Sequence, residues 1–262
     1  MEFQHSWAIT LRHIRLWLRD SNLILVSLYW PILDVLIWGF MGKWMQTDQT
    51  GSNDYKTLLL VSILLWQTSC RGAIVTVQAF LEEIWAFNLI NLFALPLRLI
   101  EWIGGVLLFN LIFTAFNVSY FILLIYLVYG IPLLLIFKMF ILFGPPLIIS
   151  GIWVGFVTLP FITAFGKRMS ELCWMMPWFF APLCGVFYPI NVFPYWMQKF
   201  SYCLPMTYVF EGMRAYFLQG QNPASYLITA YCMATVYSLI SIGIFILSFN
   251  RSKTRGLARL SE

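Results

Sequence analysis

Charge is what this sequence has least of. Asp, Glu, Lys and Arg make up 10% of its 262 residues, against 61% hydrophobic and 19% aromatic. Soluble domains carry about 25% charged residues, so a water-soluble fold is excluded and an integral membrane protein is indicated. The apolar runs leave no stretch of about 100 residues for a second, soluble domain, and the chain reads as a single transmembrane domain over 1–262. The net charge of +5 would suggest nucleic acid in a soluble protein. Here it reflects basic loops on one membrane face, and no nucleic-acid partner is expected.

The means of catalysis are equally sparse. Histidine occurs only at His5 and His13, in one amphipathic stretch and away from any acidic cluster. No Ser-His-Asp set or pair of carboxylates at glycosidase-like spacing can be assembled. The five cysteines show no metal-ligand spacing, and their odd number gives no disulfide framework. Cys70, Cys173, Cys184 and Cys232 lie in apolar runs and read as packing residues; Cys203 falls in the outer region. The phosphate-cradling pattern G-x-x-x-x-G-K-[ST] is missing, and the nearest string, Gly166-Lys167-Arg168, has neither the loop nor the hydroxyl. The chain is therefore not expected to be an enzyme or to hold a metal or cofactor itself. Residues 1–22 are too charged for the apolar core of a secretory signal. The sequon-like Asn117-Val118-Ser119 lies inside a span, out of reach of glycosylation, and no internal repeat is visible.

What is present is a succession of apolar runs. Residues 5–19 read as an amphipathic helix, with Trp7, Leu11, Ile14 and Leu18 on one face and Arg12, Arg15 and Arg19 on another. Residues 1–22 would then lie in the membrane interface with the arginines toward anionic lipid headgroups. Spans are expected at about 23–44, 55–79, 99–129, 139–165, 172–187 and 223–249, six in all. The fifth is short and interrupted by Pro177 and Pro182. Proline inside the fourth, at Pro145, Pro146 and Pro160, predicts kinks. Residues 80–102 are too polar for a span and too apolar for a free loop, and fit a short surface helix between the second and third spans. Six spans put both ends on one side. That side would carry Arg12, Arg15, Arg19, Arg98, Lys167, Arg168, Arg251, Lys253, Arg255 and Arg259, against Lys43, Lys56, Lys138, Lys199 and Arg214 on the other. The positive-inside rule makes the ends cytoplasmic, in a bacterial-type inner membrane.

Residues 171–220 organise the rest. After the broken fifth span come Pro189, Pro194 and Pro205, interleaved with Tyr188, Phe193, Tyr195, Trp196, Phe200, Tyr202 and Tyr208. Proline breaks helices, and Tyr and Trp favour the membrane–water interface. Residues 188–222 thus read as a re-entrant outer hairpin, with an ordinary outer loop as the alternative. A proline-broken span, a re-entrant hairpin and then P-x-T-Y-x-x-E-x-x-R, here Pro205, Thr207, Tyr208, Glu211 and Arg214, resembles the type-2 permease family of ATP-binding-cassette (ABC) exporters. Members of that family often carry Asn before the Pro, where this chain has Leu204. The amphipathic start is similar to the family's interfacial helix. Residues 80–98 stand where the family places its coupling helix, with Glu82 or Glu83, Leu89, Leu92, Pro96 and Glu101 matching the pattern. The usual Gly-Thr pair is replaced by Ala86-Phe87-Asn88.

The resemblance implies an all-α permease: six spans, an interfacial helix, a cytoplasmic coupling helix and an outer re-entrant hairpin. It implies pairing with itself as a homodimer and with two copies of a separate ATPase subunit, which would hold ATP and Mg. The substrate would be hydrophobic or amphiphilic: a lipid, a drug or a lipid-linked glycan. A stand-alone secondary transporter or channel is the alternative. Coupling to the ATPase is expected through Glu82, Glu83, Trp85, Phe87, Leu89 and Leu92, although the membrane surface could cover the same apolar patch. Two charges stand inside spans, Asp34 and Arg71. Each is costly there, roughly 2.5–3.5 kcal/mol on insertion scales, and needs a partner or a wet cavity. Their depths differ by only about 5 Å, which suits a salt bridge between the first two spans; contact with substrate is the other reading. Glu211 and Arg214, one turn apart, either stabilise their own helix or, as the resemblance implies, form an outer gate with Tyr208.

Overall fold

The computed structural model describes residues 3–48, 54–94, 96–257 and 260. They form helices α1 (Phe3–Arg19), α2 (Ser21–Asp48), α3 (Asp54–Trp85), α4 (Leu89–Ala94), α5 (Leu99–Tyr129), α6 (Leu133–Phe165), α7 (Leu172–Phe180), α8 (Tyr195–Ser201), α9 (Pro205–Gln219) and α10 (Ala224–Thr254). Among the described residues five helices, α2, α3, α5, α6 and α10, are long and apolar enough to cross a bilayer. At 1.5 Å per residue, α5 with its 31 residues extends about 46 Å, more than the ~30 Å hydrocarbon thickness. The long helices therefore protrude beyond the apolar layer.

The bundle is built around α3. In its most apolar window 94% of residues are buried, against 28% in α2 and α10 and 39% in α5 and α6. Close approach explains its fit to α6. A Cβ on Gly151 would stand 2.6 Å from the Ser69 carbonyl oxygen, and one on Gly155 2.8 Å from Thr76. Small residues four apart let helix backbones touch where lipid supplies no hydrophobic drive. Below this contact Phe80, Trp102, Phe156, Phe245 and Phe249 pack ring against ring, joining α3, α5, α6 and α10.

Both described ends of the chain lie at one end of the bundle, called here the Glu83 end. Glu83 is bound by Arg12 of α1, and Leu260 lies against Gly166, just after α6. The opposite, Glu211 end holds α9 and the start of α10, where Gly212 meets Tyr226. Between α5 and α6 the chain reverses at once. Gly130 takes the left-handed conformation (φ 66°) that closes α5, and its N–H is bonded to the Tyr126 carbonyl.

The amphipathic helix α1 forms as expected but packs by its less apolar side. Ser6 donates to the Glu101 carbonyl (3.0 Å), Thr10 to the Gly105 carbonyl (3.0 Å), and His13 stacks on Phe109 (5.5 Å). The pairs advance together by about one turn, so α1 runs beside the first half of α5 in one register. Of the apolar face, Trp7 and Leu18 are exposed, as suits a helix against lipid, while Ile14 packs on Phe109 and Phe113. Asp20 then accepts the N–H of Asn22 (2.8 Å) and starts α2 as its N-cap.

The expected fifth span differs. Its helix, α7, has nine residues, about 14 Å, too short to cross. Pro177 sits within it, and Pro182, Gly185 (φ 70°) and Pro189 forbid a continuation. The segment nevertheless follows α3 toward the Glu211 end. Cys173 bonds to the Ile74 carbonyl (3.6 Å), Trp178 meets Trp66, and Val186 shares a cavity wall with Leu58 and Leu59. From Ile74 to Leu58 is about 24 Å along a helix. The chain thus passes from the Glu83 end to the Glu211 end as a half-helix followed by turns. The expected surface helix over residues 80–98 is likewise shorter. Residues 80–85 are the last turns of α3, and the separate helix α4 has six residues. Cys232, read as a packing residue, is exposed.

Candidate functional site

Three groups of side chains carry the residues singled out in the sequence, one at each end and one at mid-bundle. At the Glu83 end, α1 clasps the acidic residues. Arg12 holds Glu83 through both terminal guanidinium nitrogens, at 2.6 and 2.8 Å, and the Asn88 amide donates to the same carboxylate at 2.8 Å. Glu82 faces His13 at 3.4 Å and Glu101 faces His5 at 3.1 Å. Glu83 is wholly buried, and Leu89 and Leu92 are buried too. Both histidines thus sit beside carboxylates, which the linear sequence hides because the partners lie some 70 to 96 positions away.

The aromatic residues behave differently. Trp85 is half exposed and Phe87 is 69% exposed, with Ile90 beside them. The cause is the way α3 ends. The Phe87 N–H bonds to the Ile84 carbonyl (3.1 Å) and the Asn88 N–H to the Glu83 carbonyl (2.9 Å), a Schellman closure whose left-handed position normally takes glycine. Phe87 occupies it at φ 53°, the single non-glycine residue at positive φ among those described. That conformation costs a side-chain-bearing residue roughly 1–2 kcal/mol. A hollow of about 140 Å³ opens beside it, walled by Ile90, Leu257 and Leu260.

At mid-bundle Asp34 and Arg71 are both buried, but they form no ion pair. The Asp34 carboxylate accepts the side-chain amide of Gln67 instead, and the Arg71 guanidinium lies over the Trp30 ring, 5.9 Å from its centre. Gln67 stands one turn before Arg71 on the same face of α3. Its shorter side chain reaches Asp34 directly.

At the Glu211 end the pair is more than one helix turn holding itself. Arg214 donates to Glu211 at 2.8 Å and also to the Gly185 and Val186 carbonyls, while Glu211 accepts the Ile190 N–H at 3.1 Å. Together they fasten α9 to the turns that follow α7. Burial pushes the Arg214 pKa down, and the Glu211 carboxylate beside it opposes that shift. Tyr208 is half-buried against Tyr202, with ring centres 6.1 Å apart, and does not join the pair. Thr207, part of the sequence motif but given no role there, closes the hairpin by donating to the Ser201 carbonyl at 2.7 Å. Beside the pair lies a cavity of about 550 Å³, with Tyr55, Tyr188, Tyr202, Tyr226, Asn191 and Gln219 on its walls. That volume is in the range of small-molecule sites. Among the described residues no group of three His, Cys, Asp or Glu side chains is placed to hold a metal.

Comparison with known proteins gives a family match. The family model described as ABC-2 type transporter matches residues 4–218. No curated relative matches the chain.

Proposed function

Because the chain belongs to the ABC-2 type transporter family, we propose that it is the membrane subunit of an exporter, driven by a separate ATP-binding subunit. The family pairs such membrane domains with ATP-binding subunits in general. The finer reading is a homodimer with two ATPase copies, placed in an inner membrane with the Glu83 end in the cytoplasm. ATP and Mg would be held by the partner, and this chain would do no hydrolysis. A twofold axis through the dimer would enclose a path that one bundle of this size does not. The substrate is hydrophobic or amphiphilic and leaves at the Glu211 end.

The observation that carries the reading is the aromatic patch at the end of α3. Trp85, Phe87 and Ile90 stand in water or against headgroups in the isolated chain, rimmed by polar groups, which marks an interaction surface. Phe87 is held in a conformation that costs stability, and such costs persist where function needs them. The coupling surface is therefore narrower than the sequence suggested: Trp85 and Phe87 meet the ATPase, while Glu82, Glu83, Leu89 and Leu92 support them from inside.

The test is co-purification with a separate ATP-binding subunit co-expressed with the chain. Trp85→Ala with Phe87→Ala should release that subunit and uncouple its ATP hydrolysis, with membrane insertion and self-association of the permease retained. Undiminished co-purification would move the docking surface to the turn at Lys167 and Arg168.

A further inference from the structure

Arg71 is a buried cation that no described carboxylate touches, and Asp34 acts on it only through space. It is 8% exposed, it sits near the midpoint of α3, and its guanidinium makes no hydrogen bond or ion pair with any described residue. A guanidinium carries five donors and stays charged. The carboxylate nearest in depth, Asp34, is occupied by Gln67. The aromatic face of Trp30 offsets part of the charge and satisfies none of the donors.

Arg71 stands at the head of a crevice between α1, α2, α3, α5 and α7. Gln78 and Glu82, seven and eleven residues further along α3, lie on the same helix face and line it too, with His13 and Ser27 opposite. The charges facing the crevice are thus Arg71 at its head and the Glu82–His13 pair, 3.4 Å apart, near its mouth. The remaining wall is apolar and includes Trp17, Leu23, Val26 and Trp174. On the far side of Arg71 a hollow of about 10 Å³, room for about one water, is lined by Gln67, Thr114 and Asn117. Asn117 is 6% exposed, and its amide nitrogen has no partner. Two sets of buried donors on two helices, Arg71 and Asn117, are therefore left for a group that accepts hydrogen bonds and carries negative charge.

We propose that this crevice binds a phosphate-type oxyanion on Arg71. The crevice, about 40 Å³, has room for the oxyanion alone. The hydrocarbon of the molecule that bears it therefore runs outward along the partly exposed Leu23, Val26 and Trp174, and Asn117 offers the next donor toward the Glu211 end. This deepens the exporter reading, and rests on it, by making the transported amphiphile an anionic one. The oxyanion could arrive as a lipid headgroup or as free phosphate, and the experiment separates the two.

The full-length chain, purified in dodecyl maltoside, is melted with rising dihexanoylphosphatidic acid, inorganic phosphate or dihexanoylglycerol. Phosphatidic acid should raise Tm by about 5–10 °C at a hundredfold excess over Kd, and dihexanoylglycerol should not. A matching rise with inorganic phosphate assigns the site to the free anion; a rise with the lipid alone assigns it to a membrane-borne substrate. Arg71→Met should abolish the rise while starting from an equal or higher Tm, because it removes an unpartnered charge. Should that variant fail to fold, Val26→Trp fills the crevice from α2, leaves Arg71 in place and should also abolish the rise. No rise with either phosphate-bearing probe, or a rise undiminished in these variants, overturns the proposal. The measurement involves neither ATPase nor transport, so its failure would leave the exporter reading standing.

Discussion

Arg12 and Glu83 form a two-point ion pair, at 2.6 and 2.8 Å, that fastens the N-terminal helix to the last turns of the central one. Glu83 is buried and Arg12 is about one-third exposed, so the two halves of the pair are unequal. Removing the arginine strands a buried carboxylate, which costs roughly 3–5 kcal/mol. Removing the charge of the glutamate leaves a cation that can turn to water. Arg12→Ala should therefore lower Tm far more than Glu83→Gln. Equal losses in thermal melts of the two variants would show that Glu83 is wetter than its burial implies.

Phe87 sets stability against coupling. Phe87→Gly removes a side chain from a left-handed position and should stabilise the isolated permease by up to about 1 kcal/mol, the relief being partly offset by glycine's greater freedom when unfolded. The same change should weaken binding of the ATP-binding subunit, since the exposed ring is gone. Opposite signs in the two measurements are the signature of strain kept for function. A variant that loses both, melting lower and binding less, would instead make Phe87 an ordinary structural residue.

The α3–α6 contact allows a third test. Gly151→Ala would place a methyl 2.6 Å from the Ser69 carbonyl oxygen, and backbone on both sides leaves little room to yield. Overpacking of this kind costs typically 1–3 kcal/mol. Gly243→Ala, on α10 with open space around it, should be neutral or slightly stabilising through helix propensity. Folded yield on size exclusion distinguishes them, and equal yields would mean that α3 and α6 can separate freely.

The long helices were legible because apolar runs of this length admit few structures. The side on which α1 packs was not. Its apolar face, Trp7, Leu11, Ile14 and Leu18, was assigned to the membrane interface, and no pattern marked Ser6, Thr10 and His13 as the residues that meet α5. Gly105 decides this, because its missing Cβ leaves room for Ile9 and the Ser6 carbonyl oxygen, and the partner of a glycine cannot be read from one sequence. The level placement of Asp34 and Arg71 was anticipated, but the bond between them was not formed. Gln67, one turn from Arg71, was the available signal, as amides at that spacing compete for the same carboxylate. The fifth span failed as a helix for a reason visible in its prolines, yet the chain still covers the depth of the bundle. Proline count predicts helix breakage and says little about where the broken chain goes.

Asp34 and Gln67 supply the last prediction. The Gln67 amide donates to the buried Asp34 carboxylate, and no ion pair joins Asp34 to Arg71. What matters at Asp34 should then be an acceptor rather than a charge. Asp34→Asn keeps an oxygen for Gln67 and should leave Tm nearly unchanged. Asp34→Leu leaves the buried amide without its acceptor, which costs about 1–3 kcal/mol. Adding Gln67→Leu to that variant removes the orphaned group, so the double change should recover much of the loss, because replacing both partners by apolar groups can be nearly neutral. A double-mutant cycle read by thermal melting gives the coupling directly. If Asp34→Asn is as damaging as Asp34→Leu, the charge is what the site needs. Arg71 would then be its partner after all, and the crevice would lose its free cation.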